Sequence, residues 1–153
     1  MSPNTVASVP APLWRRLAAA VYDLLLLTAI WMILAGVLVS LYGFSGLPMD
    51  DLNGIERPPQ WFLQWVLLPL LLLASWAFFA ISWMRGGCTL GMQAWRLRVR
   101  DASGRPLRLS QTLVRVLGGA LSWLALGAGY LLVLLPPYQS FHDRVSNTET
   151  IMN

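Results

Sequence analysis

Lysine is missing from this chain, and all eleven basic residues are arginine. Arginine keeps its charge across the physiological range, so none of these positions can accept a proton near neutral pH. The single cysteine, Cys88, excludes an internal disulfide, and the single histidine, His142, excludes a Cys/His metal cluster. Charge is scarce too: charged residues make up 12% of the chain, against about 25% in ordinary soluble domains. No carboxylate or metal-ligand spacing repeats, and Cys88 and Thr89 have no histidine near them in sequence. The chain therefore reads as no enzyme, with no cofactor and no metal.

What is plentiful is apolar sequence, 56% of 153 residues. That balance predicts one integral membrane domain, residues 13–153, behind a disordered tail, residues 1–12, with Pro3, Pro10 and Pro12. Three apolar runs stand out, at about residues 17–42, 61–84 and 116–135, and about 20 helical residues suffice to cross a bilayer core. The first is too long for a signal-peptide core of about 7 to 15 residues, and it carries an acid, Asp23. The second has Trp61 and Trp65 at one end and Trp83 at the other, as an interfacial aromatic belt would, and Pro69 inside it predicts a kink. The third holds Gly118, Gly119, Gly127 and Gly129. It reads either as one crossing or as two segments, broken near Gly127, that dip in and return; its glycines suit close helix packing.

Residues 43–60 form a Gly- and Pro-rich loop between the first two runs. Between the second and third, Trp95-Arg96-Leu97-Arg98-Val99-Arg100 alternates apolar and basic at period two, the pattern of a half-buried strand. Asp101 to Gly104 supply a turn, and Arg105 to Leu109 return as a short edge strand, with Ser110 capping the helix that follows. The predicted fold is thus all-α membrane, three apolar helical segments with a small amphipathic β-hairpin at the cytoplasmic surface. Its arginines face anionic lipid headgroups; nucleic acid is not the expected partner, because the basic residues cluster beside apolar spans. Arginine is dense before the first run and between the second and third but sparse in 43–60, so the positive-inside rule places the N-terminus in the cytoplasm. A chain this short suits a homo-oligomer or a complex with a partner membrane protein.

The intramembrane charge is the candidate site. An ionised carboxylate near mid-membrane costs about 2.5 to 3.5 kcal/mol and needs a partner. Arg16 lies seven residues before Asp23, on nearly the same helix face but roughly 10 Å away along the axis. A partner from another helix is expected, with Arg115 best placed and Arg16 and Arg144 next. Asp23 then either locks helices together or alternates between a proton and a cation. Asp143, flanked by His142 and Arg144, is expected to tie to the hairpin arginines, and His142 is a candidate proton relay.

Five stretches carry a resemblance. They are Trp14 to Ala19 leading to Asp23; Gly87-Cys88-Thr89-Leu90-Gly91; Leu97 to Asp101 running on through Gly104, Pro106 and Leu107; Gln111 to Arg115; and Phe141-His142-Asp143-Arg144. In this order and spacing the chain resembles the RDD family of small integral membrane proteins, named for an arginine and two aspartates. The resemblance implies that the naming charges are Arg16 (or Arg15), Asp23 and Asp143. Met92 stands where the family usually has a basic residue, and Pro136 to Phe141 lacks the charge often found there. It further implies transport of ions or small solutes, cation/proton exchange included; the expected location is the bacterial inner membrane. A non-transporting scaffold or assembly factor is the alternative.

Overall fold

The computed structural model describes residues 9–152. They divide into two compact units, residues 25–77 and the rest of the described chain. Two helices, α1 (Leu13–Phe44) and α2 (Gln60–Gly86), are long and apolar enough to cross a membrane. Both exceed the apolar runs read from sequence, α1 by four residues at its start and two at its end, α2 by one and two. Pro69 cannot donate to the carbonyl one turn earlier, and a π-helical turn, Leu63–Leu67, occupies the stretch just before it.

In the unit of residues 25–77, large apolar side chains stand exposed, Met32 at 71%, Ile33 at 69% and Trp65 at 77%. A water-soluble helix buries such a stripe; these helices present it outward, as lipid-facing helices do. The loop is more ordered than expected: β1 (Asp50–Leu52) and β2 (Ile55–Arg57) pair antiparallel around a two-residue Asn53-Gly54 turn. Tyr42 anchors its base, packing on Phe62 at 4.5 Å and donating its hydroxyl to the Pro48 carbonyl at 3.0 Å.

The other unit follows the short helix α3 (Leu90–Ala94) with β3 (Leu97–Asp101), then α4 (Leu109–Leu124). Next come α5 (Ala128–Leu131) running into a 3-10 turn (Leu132–Leu134), α6 (Phe141–Val145) and β4 (Thr148–Met152). The strand at 97–101 forms as its alternation predicts, with Leu97 and Val99 buried and Arg96 and Arg98 exposed. Its partner is different. The expected local hairpin with 105–109 is absent, and β3 pairs antiparallel with β4, Leu97 opposite Met152 through Asp101 opposite Thr148. Pro106 lacks an N–H to give to a ladder, whereas β4 offers five paired residues without proline.

Residues 9–11 run along β4 and not in a disordered tail. Ala11 is buried and donates its N–H to the Thr150 carbonyl at 3.3 Å, and Pro10 bridges Ile151. The remainder of that expected tail, residues 1–8, lies outside the described residues. Ala11, Ala19, Trp83, Met92, Leu97, Val99 and Leu107 make the apolar core. Ser110 sits inside the first turn of α4; the cap is Arg108, whose N–H is accepted by the Gln111 side chain at 2.9 Å.

The third apolar run is broken. Gly127, at φ 80°, takes a left-handed backbone conformation that side-chain-bearing residues rarely adopt. The chain turns there by 108° between α4 and the α5 segment.

Candidate functional site

Three distant parts of the sequence deliver one ion cluster. Ser140 caps α6, and the box it forms with Asp143 fixes the carboxylate: the Ser140 hydroxyl donates to Asp143 Oδ2 at 2.7 Å and its N–H at 3.2 Å. Arg16, in the first turn of α1, donates Nη1 to the same oxygen, its Nε to the Ala11 carbonyl at 3.0 Å and its Nη2 to the Thr150 carbonyl at 3.0 Å. Arg115 projects from the buried face of α4 and donates Nη1 to Asp143 Oδ1 at 2.5 Å and to Thr148 Oγ1 at 2.5 Å. Its Nη2 reaches Thr150 Oγ1 at 2.7 Å, and its guanidinium lies 5.1 Å from the Trp83 ring. Alternation along β4 turns Thr148 and Thr150 inward together, and Thr150 donates to Asp143 Oδ1 at 2.9 Å.

Asp143 is fully buried, and Arg16 and Arg115 are nearly so. Two guanidiniums share one carboxylate, so the cluster holds a surplus positive charge. Neutral acceptors and the Trp83 face spread it, as buried charge requires. Burial alone would raise the Asp143 carboxyl. The Arg115 and Arg16 charges and the Ser140 hydroxyl outweigh that and hold it well below the usual carboxylate range.

His142 joins the cluster from its rim, packed edge-on against Tyr130 at 4.9 Å. The Ser140 hydroxyl gives its proton to Asp143, so the 2.9 Å contact with His142 Nε2 is one in which the ring donates. Nδ1 is then a bare lone pair, buried without a partner among the described residues. Burial, reinforced by Arg115, pushes the imidazole down to about 3. Burial thus disfavours the charged form of the ring at pH 7.

Between pH 6.5 and about 3 the unfolded chain holds a proton on this ring that the folded chain excludes. Stability is therefore whole above that window and falls as pH is lowered through it, by at most about 1.4 kcal/mol per pH unit. Asp143 adds its own loss only below its unfolded value of 3.8. Thermal melts in detergent should show Tm falling from pH 6.5 to 4.5, and His142→Gln should flatten that stretch. An unchanged slope in the variant would remove His142 as the cause.

Asp23 has a different setting. It faces Thr89, which donates its hydroxyl to Oδ2 at 2.6 Å, and Gly91, whose N–H donates to Oδ1 at 3.0 Å. Thr89 simultaneously caps α3, accepting from the Met92 N–H at 3.1 Å. Gly91 is required for this approach: a Cβ there would lie 2.8 Å from Asp23 Oδ1 and press on the Ala19 carbonyl. The Thr-Leu-Gly stretch is thus a socket for the carboxylate. The partner does come from another element, but no arginine holds Asp23 among the described residues.

The structure brings Arg16, Arg115, His142 and Asp143 together. It leaves Asp23 two helical turns away from Arg16 in its own socket and Arg144 exposed. The expected tie from Asp143 to the hairpin arginines is replaced by Arg16 and Arg115, because β3 turns Arg98 outward and pairs Arg100 with Glu149 at 3.5 Å. The sequence does not single out Ser140, Thr148 or Thr150, and it marks Thr89 as part of a motif without linking it to Asp23. Two signals were available: Ser140 three residues before Asp143 is a capping-box spacing, and Thr148 and Thr150 alternate at strand period.

The family model described as the RDD family matches residues 10–147. No curated protein matches the chain, and no solved structure does.

Proposed function

The chain belongs to the RDD family, and from that premise we propose that it is a multi-pass inner-membrane protein acting as a non-transporting interaction or assembly module. On this reading α1 and α2 cross the bilayer with the N-terminus cytoplasmic, as the arginine distribution favours. The apolar faces exposed on these helices meet lipid, copies of the same chain or a partner membrane protein. One observation carries the reading: Asp23, Asp143, Arg16 and Arg115 all bond to groups of their own chain, in buried positions. Charges engaged in this way hold a fold together and are poorly placed to exchange ions.

A second reading, transport of ions or small solutes by an oligomer, is favoured by the setting of Asp23. Its carboxylate lies in a membrane helix, and its hydrogen-bond partners, Thr89 and Gly91, are both neutral. A carboxylate without a fixed counter-cation is the kind of group that a cation/proton exchanger uses.

Asp23→Asn separates the two. An amide presents one acceptor to two buried donors, so the structural role predicts a loss of about 1 to 3 kcal/mol and lower abundance. Liposomes containing the wild-type protein should show no flux of protons, sodium, potassium or lithium. A flux that Asp23→Asn abolishes while the melt stays unchanged would overturn the proposal in favour of transport.

A further inference from the structure

The polarity of α4 is inverted. Its buried face carries Thr112, Arg115, Gly118 and Ser122. Its exposed face carries Leu113, Leu117, Leu121 and Leu124, and the turn that follows exposes Leu126 at 99%. Water stabilises the opposite arrangement, so the medium around this face is apolar.

The surroundings fix which apolar medium it is and how far the segment enters. β3 precedes the segment and β4 follows it, and the two are joined in a five-residue antiparallel ladder. A hydrogen-bonded ladder does not straddle a bilayer, so the intervening chain crosses an even number of times. Two crossings are out of reach. A hydrocarbon core is about 30 Å thick, whereas α4, with 16 residues, extends about 24 Å. The returning limb is shorter still, α5 of 4 residues and the 3-10 turn of 3. The 108° bend turns the chain past a right angle and back toward its start. Polar anchors mark the entry and the exit: Arg105 and Arg108 are exposed before α4, and Arg144 is exposed after the return. Arginine at those positions complements anionic lipid phosphates.

We infer that residues 109–135 form a re-entrant wedge whose leucine face sits in the acyl chains of one leaflet, with residues 97–101 and 148–152 on the same side of the membrane. The third apolar run, on this assignment, does not cross. The occupant of the leucine face is lipid, which separates it from a face kept for a second protein chain.

The test uses the full chain with Cys88→Ser, reconstituted in vesicles of phosphatidylethanolamine and phosphatidylglycerol, and single cysteines at Ser103, Arg144, Glu56 and Leu126. These positions are exposed, so the labels do not disturb the core. An impermeant maleimide should label Ser103→Cys and Arg144→Cys from one side and Glu56→Cys from the other. Leu126→Cys should resist the reagent from both sides, and a spin label there should collide with oxygen at least several-fold more than with a water-soluble nickel chelate. Labelling of Ser103→Cys and Arg144→Cys from opposite sides would overturn the assignment. Ready aqueous labelling of Leu126→Cys, or oxygen access there lost on protein crosslinking at that site, would also overturn it, the latter in favour of a protein partner.

Discussion

Replacing Asp143 with asparagine should destabilise the protein by about 3 to 5 kcal/mol, the range found when one member of a buried ion pair is removed. The physical reason is the stoichiometry of the cluster. Arg16 and Arg115 are both buried and share this single carboxylate. Removing it leaves two desolvated guanidiniums facing each other across neutral hydroxyls. The amide also leaves one neutral acceptor where the carboxylate received the Ser140 N–H and hydroxyl together with both arginines, which weakens the cap of α6. Arg144→Gln, one residue along and exposed, is the control and should stay within about 0.5 kcal/mol. Thermal melts in detergent and the yield of folded protein from membranes measure both.

Gly91→Ala should cost about 1 to 3 kcal/mol, the usual range for overpacking a close contact. The added methyl would lie 2.9 Å from the Asp23 carboxyl carbon as well as against the Ala19 carbonyl. α3 can make room only by backing off α1, which stretches the 2.6 Å bond from Thr89 to Asp23. Gly119→Ala is the informative comparison, because nothing stands within 4 Å of a Cβ there. In the interior of α4 that change should stabilise by up to about 1 kcal/mol, from helix propensity alone. Opposite signs in the two melts would show that space, and not glycine flexibility, governs position 91.

The lengths of α1 and α2 were legible because hydropathy reports the solvent directly, and a bilayer demands a run of fixed length. The strand at 97–101 was legible because arginine and apolar residues alternate, and the pleat sends them to opposite faces. Its partner was not. β4, Thr148–Met152, is short and polar-faced inward, and its pairing spans some fifty residues of chain, a distance over which sequence pattern carries no register. The same non-locality hid the ion cluster. Arg16, Arg115 and Asp143 were each identifiable as candidates, yet charge alone cannot say which arginine meets which aspartate. A membrane carboxylate needs a donor, and an arginine is the expected one; the donors present are a threonine hydroxyl and a glycine N–H, from a stretch whose motif is visible in the sequence but whose pairing with Asp23 is not. Gly127 marked the break in the third run, but the choice between a crossing and a return rests on β3 and β4 lying side by side, which only the fold displays.

Hydrogen–deuterium exchange on the wild type and Asp143→Asn tests the central claim, that these charges exist to hold the sheet and its flanking helices together. The predicted result is loss of amide protection across residues 97–101 and 148–152 in the variant, with the interior of α2 protected as before. Unchanged protection of both strands, with an unchanged melt, would contradict it.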